Sequence, residues 1–262
     1  MSPAARISAR RSFQSWAPRF PTRWKAAAWP AFGPCAEPAP PYTKQVGLRE
    51  EISDLLASFN TPPAVARQIV SAFKKIENDQ IAPGVAVGER APDFELESSR
   101  RQRVRLSERL RRGPAVVTFF RGAWCPICNL QVAALARALP EIRAAGGSLI
   151  GVHPDAGPLL DDPLDGFELC SDPDQQVIRD WRVQFTMPPE VQKYYTGSLD
   201  TDISLLNLDG SWRLPVPATF ILDQDGVVRR RHVTADFTKR MEPDDVVAAL
   251  DEIGGAVPVP SA

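Results

Sequence analysis

The stretch Ala115-Val116-Val117-Thr118-Phe119-Phe120-Arg121-Gly122-Ala123-Trp124-Cys125-Pro126-Ile127-Cys128 decides the reading of this chain. Its first six residues are apolar, β-branched or aromatic without a break, the pattern of a strand buried on both faces. Residues 121–124 turn the chain. A helix is then expected from about Cys125 to Ala138, with Leu130, Ala133, Leu135 and Leu139 on its apolar side. The two cysteines therefore stand where a buried strand hands over to a helix. A thiol there faces unpaired backbone N–H groups and the positive end of the helix dipole, which favour its thiolate. The spacing lets a disulfide close within one helical turn. Cys125 is expected to be exposed at the helix end and Cys128 one turn inside, so that Cys125 attacks and Cys128 resolves.

Working outward, the chain splits by composition. Residues 1–43 form a basic extension. Up to residue 42 it holds eight prolines, three of the six tryptophans, six basic residues and a single acid. Prolines at 18, 21, 30, 34 and 38 bar a continuous helix. Three readings stay open: a disordered extension, an organelle transit peptide, and an export signal around Arg10-Arg11-Ser12-Phe13 whose following apolar stretch is broken by charges. Residues 44–80 read as a helical pair. Leu48, Ile52, Leu55, Leu56 and Phe59 mark the first helix. Val65, Ile69, Val70, Phe73 and Ile76 mark the second, with Thr61 as N-cap and prolines in its first turn. Residues 81–262 read as an α/β domain. Residues 148–152 and 218–222 are core strands, Asp223-Gln224-Asp225-Gly226 is a hairpin turn, and a last helix follows Glu242-Pro243. Residues 183–213 read as a long loop, which covers the active site or makes a dimer contact.

Composition narrows the function. A net charge of −1 argues against nucleic acid as the main partner. No apolar run approaches the roughly 18 residues of a membrane helix. Four cysteines are too few for a disulfide scaffold. A CxxC can be half of a zinc site, but that needs a second pair, and Cys35 and Cys170 have no such neighbour. No metal or cofactor is expected. Two structural cysteines are the plain alternative; the strand–turn–helix setting favours a redox pair.

Residues 120–128, taken with Leu214-Pro215-Val216-Pro217-Ala218-Thr219-Phe220-Ile221-Leu222-Asp223, resemble the thioredoxin-fold superfamily. More narrowly, with Gly88-Glu89-Arg90-Ala91-Pro92-Asp93-Phe94-Glu95-Leu96, they resemble peroxiredoxin-like members of the alkyl hydroperoxide reductase / thiol-specific antioxidant family. The resemblance covers about residues 45–254. It implies a thioredoxin-like α/β fold, a central mixed sheet flanked by helices, and a thiol-dependent peroxidase. A thiol–disulfide oxidoreductase is the alternative. Pro217 is implied to be a cis-proline facing the CxxC, with the adjacent backbone free to pair with a substrate. Trp124 is implied to pack beside the active turn. Hydroperoxide is the implied substrate, and thioredoxin, glutaredoxin or glutathione the reductant; a homodimer is compatible with this. The chain departs from the family pattern twice. The threonine position three residues before Cys125 is Gly122, and the place of the family's arginine is taken by Pro217. Arg121 is either a substitute charge beside the thiolate or a solvated turn arginine. His153 and Cys170 read as structural, and Arg229-Arg230-Arg231 as a charged edge strand. The localisation expected is cytoplasmic, or exported or organellar if residues 1–42 are a targeting segment.

Overall fold

The computed structural model describes residues 47–59, 61–155 and 166–255. The basic extension, with Cys35, lies outside the described residues. Two helices open the described chain, α1 (Leu48–Ser58) and α2 (Pro63–Asn78). A β-hairpin of β1 (Glu95–Ser98) and β2 (Arg103–Arg105) runs into the short α3 (Leu106–Leu110). Then come β3 (Ala115–Phe119), α4 (Pro126–Arg137), α5 (Leu139–Ala144), β4 (Ser148–His153) and β5 (Phe167–Ser171). The chain continues through α6 (Gln176–Asp180), β6 (Gln184–Thr186), α7 (Pro189–Ser198) and β7 (Arg213–Pro215). It finishes with β8 (Ala218–Leu222), β9 (Val228–Val233) and α8 (Pro243–Gly255).

Seven strands form one mixed sheet in the order β2-β1-β5-β4-β3-β8-β9. β3 is parallel to β4 and antiparallel to β8, so it has a neighbour on both sides. Its five residues are all buried, as an unbroken apolar run requires. Side chains alternate across it. Val117 and Phe119 face a core with Trp181 and Phe220, whereas Val116 faces Val132 and Leu135 of α4 and Leu250 of α8. Trp181, Phe119 and Phe220 meet edge-on or tilted at 5.0–5.9 Å between centroids. Each buried side chain of this size contributes about 1.5–3 kcal/mol. Asp172, at the end of β5, accepts the Ile178 N–H at 2.8 Å and so fixes the entry to α6.

Three expectations change here. Residues 183–213 are not a bare loop: β6 pairs with β7 and α7 stands between them. Thr61 is not the N-cap of α2. Pro62 holds that place, and the Thr61 hydroxyl bonds the Tyr194 hydroxyl at 3.2 Å, tying α2 to α7. The Val216–Pro217 bond is trans, since no peptide bond among the described residues is cis. The backbone around it is also occupied. The Val216 N–H bonds the Val183 carbonyl at 2.8 Å, and the Pro217 carbonyl accepts the Thr234 N–H at 3.3 Å. Pro217 therefore serves the fold rather than presenting a free edge. The arginines of β9 do lie on an edge strand; Arg231 donates to the carbonyls of Pro83, Gly84 and Val85.

Candidate active site

Cys125 is the N-cap of α4, with extended backbone, and Pro126 opens the helix, where a missing N–H costs nothing. Cys128 follows one turn in. Their sulfurs lie 2.8 Å apart, and both cysteines are free thiols. The expectation that Cys125 would be exposed is corrected, because both residues have 0% exposure. Trp124 and Phe237 pack against the cluster that holds them, and the Trp124 ring meets Tyr195 of α7 edge-on at 5.9 Å. The segment read as a loop thus supplies part of the cover.

Arg121 is not a solvated turn arginine. It is 2% exposed, its Nη2 donates to Cys125 Sγ at 3.0 Å and its Nη1 to the Tyr195 hydroxyl at 3.2 Å. Its guanidinium lies over the rings of Trp124 and Phe237, 5.1 and 4.3 Å from their centroids. Burial opposes its charge, but the Cys125 sulfur beside it, the largest of the opposing influences, helps to more than offset that.

A second arginine, which no local pattern announces, also reaches the site. Arg240, between β9 and α8, places Nη2 3.7 Å from Cys128 Sγ. Its Nε donates to Gln131 Oε1 at 2.7 Å. Gln131 in turn donates to the hydroxyls of Thr118 and Thr219, at 3.1 and 3.4 Å, on the paired strands β3 and β8. This buried polar chain lies on the α4 face of the sheet.

The sulfurs titrate as a pair. Burial opposes ionisation of either. For the first proton it is overcome by the hydrogen bond between the sulfurs and by the charges of Arg240 and Arg121, so that proton leaves well below the ordinary thiol range. The second leaves well above it, because burial and the adjacent anion oppose a second charge. Across the 2.8 Å between the sulfurs, it is the Cys128 thiol that is held low and the Cys125 thiol that is pushed up.

Asp155, just past β4, supports the turn. It accepts the Ala123 N–H at 2.8 Å. Gly122 has φ +133°, and a Cβ there would lie 2.6 Å from both Asp155 Oδ1 and Trp124 Nε1. The carboxylate and the indole occupy the space a side chain would need, which accounts for glycine at this position. His153 is buried, its ring 5.4 Å from that of Phe120, and its Nδ1 has no hydrogen-bond partner. Cys170 is buried within β5, away from this turn. Pro217 is brought to the same end of the sheet through the pairing of Phe119 with Ala218.

The profile of the AhpC/TSA family matches residues 87–231, more than half of the chain. The chain belongs to the AhpC/TSA family. It is an oxidoreductase of the thiol-peroxidase kind with a thioredoxin-like, peroxiredoxin-like fold. Among similar proteins, the 1-Cys peroxiredoxin PER1 of Hordeum vulgare is 24% identical over 181 residues, covering 65% of this chain and 74% of that one. Peroxidoxin BcpB from Mycobacterium tuberculosis is 21% identical, with a TM-score of 0.45, over 64% of this chain and 97% of its own. Peroxiredoxin Q of Xanthomonas campestris is 20% identical, with a TM-score of 0.48, over 64% and 99%. Within the AhpC/TSA match lie Arg121, Cys125, Cys128, Gln131, Asp155 and Tyr195; Arg240 lies beyond it.

Proposed function

We propose that this AhpC/TSA protein reduces hydroperoxides through a CxxC redox pair in which Cys125 attacks and Cys128 resolves. The observation that carries the reading is the buried Arg121 guanidinium 3.0 Å from Cys125 Sγ. It supplies, from the residue before Gly122, the charge that the family places elsewhere. The Cys125 thiolate attacks one peroxide oxygen and the O–O bond breaks. The sulfur becomes a sulfenic acid, and the leaving oxygen takes a proton to depart as water or an alcohol. Cys128 sulfur then bonds to Cys125 sulfur, expelling the sulfenic oxygen as water. An external thiol, of the thioredoxin, glutaredoxin or glutathione kind, returns the pair to the reduced state. With both sulfurs at 0% exposure, substrate enters only when the aromatic cover shifts.

A second reading, a thiol–disulfide oxidoreductase, is favoured by the absence of a hydroxyl at Gly122 and of an arginine at Pro217. The two separate at Cys128. A peroxidase breaks the O–O bond with Cys125 alone, whereas a disulfide reductase needs Cys128 to release the mixed disulfide. Cys128→Ser is expected to keep one fast turnover with hydroperoxide and to leave a dimedone-reactive sulfenic acid on Cys125; Cys125→Ser loses both. A sulfenic acid forming no faster than on a free thiol of similar acidity would transfer the assignment to disulfide exchange.

A further inference from the structure

Two guanidinium groups enter the site, one on each sulfur, and neither is neutralised by a carboxylate among the described residues. Besides Cys128, Arg240 donates to Gln131 Oε1 and to the carbonyls of Phe237 and Lys239, all neutral. Besides Cys125, Arg121 donates to the Tyr195 hydroxyl, whose ionisation burial opposes. Arg121 is 2% and Arg240 8% exposed. A charge this buried is costly without a counter-charge. Burial pulls Arg240 below the usual arginine range, in keeping with its incomplete compensation. The sulfurs are the groups placed to supply the missing negative charge. A reduced pair with one thiolate supplies it; a disulfide carries none and leaves both guanidinium groups uncompensated.

We propose that Arg240 is the charge-compensating residue of Cys128, as Arg121 is of Cys125, and that together they stabilise the reduced pair against its disulfide. The disulfide is then a strong oxidant that thiols readily reduce. Gln131, anchored on Thr118 and Thr219, holds Arg240 in place. The inference deepens the redox reading of Cys125 and Cys128 and rests on it. The step balances: two external thiols give two electrons and become a disulfide. Of their two protons one stays on the pair and one goes to solvent, because one sulfur remains a thiolate. The other titratable groups that face this cluster are Tyr195, Asp155 and His232.

The test uses the full chain equilibrated against reduced and oxidised glutathione, with the intramolecular disulfide mapped by mass spectrometry. Arg240→Gln is expected to shift the equilibrium at least tenfold toward the disulfide, about 30 mV for a two-electron couple. Arg240→Lys recovers most of that shift. The alkylation rate of the pair moves to higher pH in Arg240→Gln, which a merely structural role would not cause. Absence of any Cys125–Cys128 disulfide in the wild type, even with oxidised glutathione alone, overturns the redox reading, and this inference with it. A disulfide that forms normally while Arg240→Gln stays within twofold of wild type leaves the reading intact and removes Arg240 from it. If Arg240→Gln does not fold, the wild type decides. Its oxidised form is expected to unfold at lower urea than its reduced form, against the usual effect of a disulfide; the opposite order overturns the proposal.

Discussion

Asp155 and His153 lie 3.8 Å apart at the end of β4, yet burial keeps both neutral over much of the pH range. It lowers His153 from 6.5 to about 3. It raises Asp155 from 3.8 to about 7; the Ala123 N–H works against that rise and the Cys128 charge adds to it. The two act on stability with opposite signs. Between about pH 3 and 6.5 the unfolded chain binds the His153 proton and the folded chain does not, so this term raises stability with pH. Between about pH 4 and 7 the folded chain keeps the Asp155 proton and the unfolded chain does not, so that term lowers it. In the wild type they nearly cancel between pH 4 and 6.5. Asp155→Asn leaves the histidine term alone. Its unfolding free energy is expected to gain about 1–2 kcal/mol on the wild type between pH 4.5 and 6.5, measured by urea titration. Parallel curves would mean that Asp155 is ionised in the folded protein. The same residues set the limit of what the sequence discloses. Arg121, Trp124, Cys125 and Cys128 share one turn, so their meeting was readable. Asp155, Tyr195 and Arg240 reach the site from three separate parts of the chain, and Arg240, just after Lys239 and two residues before Glu242, looks locally like any solvated charge. Pro217 shares the sheet end of the CxxC, but the trans bond there goes with hydrogen bonds, Val216 to Val183 and Thr234 to Pro217, that no local pattern announces.

Among the elements, α1 shows how a distant residue completes a helix. Its N-cap is Gly47, which has no side chain to cap with. The N–H groups of Leu48 and Arg49 are instead accepted by the two carboxylate oxygens of Glu242, each at 2.9 Å. A carboxylate there also opposes the positive end of the helix dipole. Glu242→Ala is expected to cost about 1 kcal/mol, the range of an N-cap deletion, while Glu242→Gln, which still accepts, costs less. Chemical denaturation of the three proteins checks the order; equal values for Ala and Gln would show that the cap adds nothing. Long, strongly patterned elements were legible: β3, β4, β8, α4 and α8 fall where periodicity put them. The elements of residues 183–213 were not. β6 and β7 have three residues each, too few to show an alternation, and α7 has a mixed face with buried Val191 and Tyr195 among polar neighbours. Its helicity comes from packing on α2 and on the active turn, which is tertiary information.

At the scale of the molecule, the helical pair is not one unit. α1 sends Leu48 and Ile52 into the core on the α4–α8 face of the sheet. α2 sends Phe73 and Ile76 to the opposite face, where Phe73 meets Phe185 at 5.8 Å and Phe237 at 5.1 Å between centroids. The two helices therefore clasp the sheet from both sides, and α2 reaches the active site, since Phe237 also lies under the Arg121 guanidinium. Separate domains and a single cooperative unit predict different responses to the same mutations. Ile52→Ala and Phe73→Ala each remove a buried side chain, at a cost of about 2–5 kcal/mol. They lie in clusters on opposite faces of the sheet, so their costs should add within about 0.5 kcal/mol in the double variant. All three variants should unfold in one transition that coincides by tryptophan fluorescence, which sums six tryptophans with the buried Trp181 among them, and by circular dichroism. If the helices instead formed a domain of their own, both mutations would weaken only a first, helical transition. A second transition would then keep its wild-type midpoint in all three variants, and the assignment of one continuous core would be wrong.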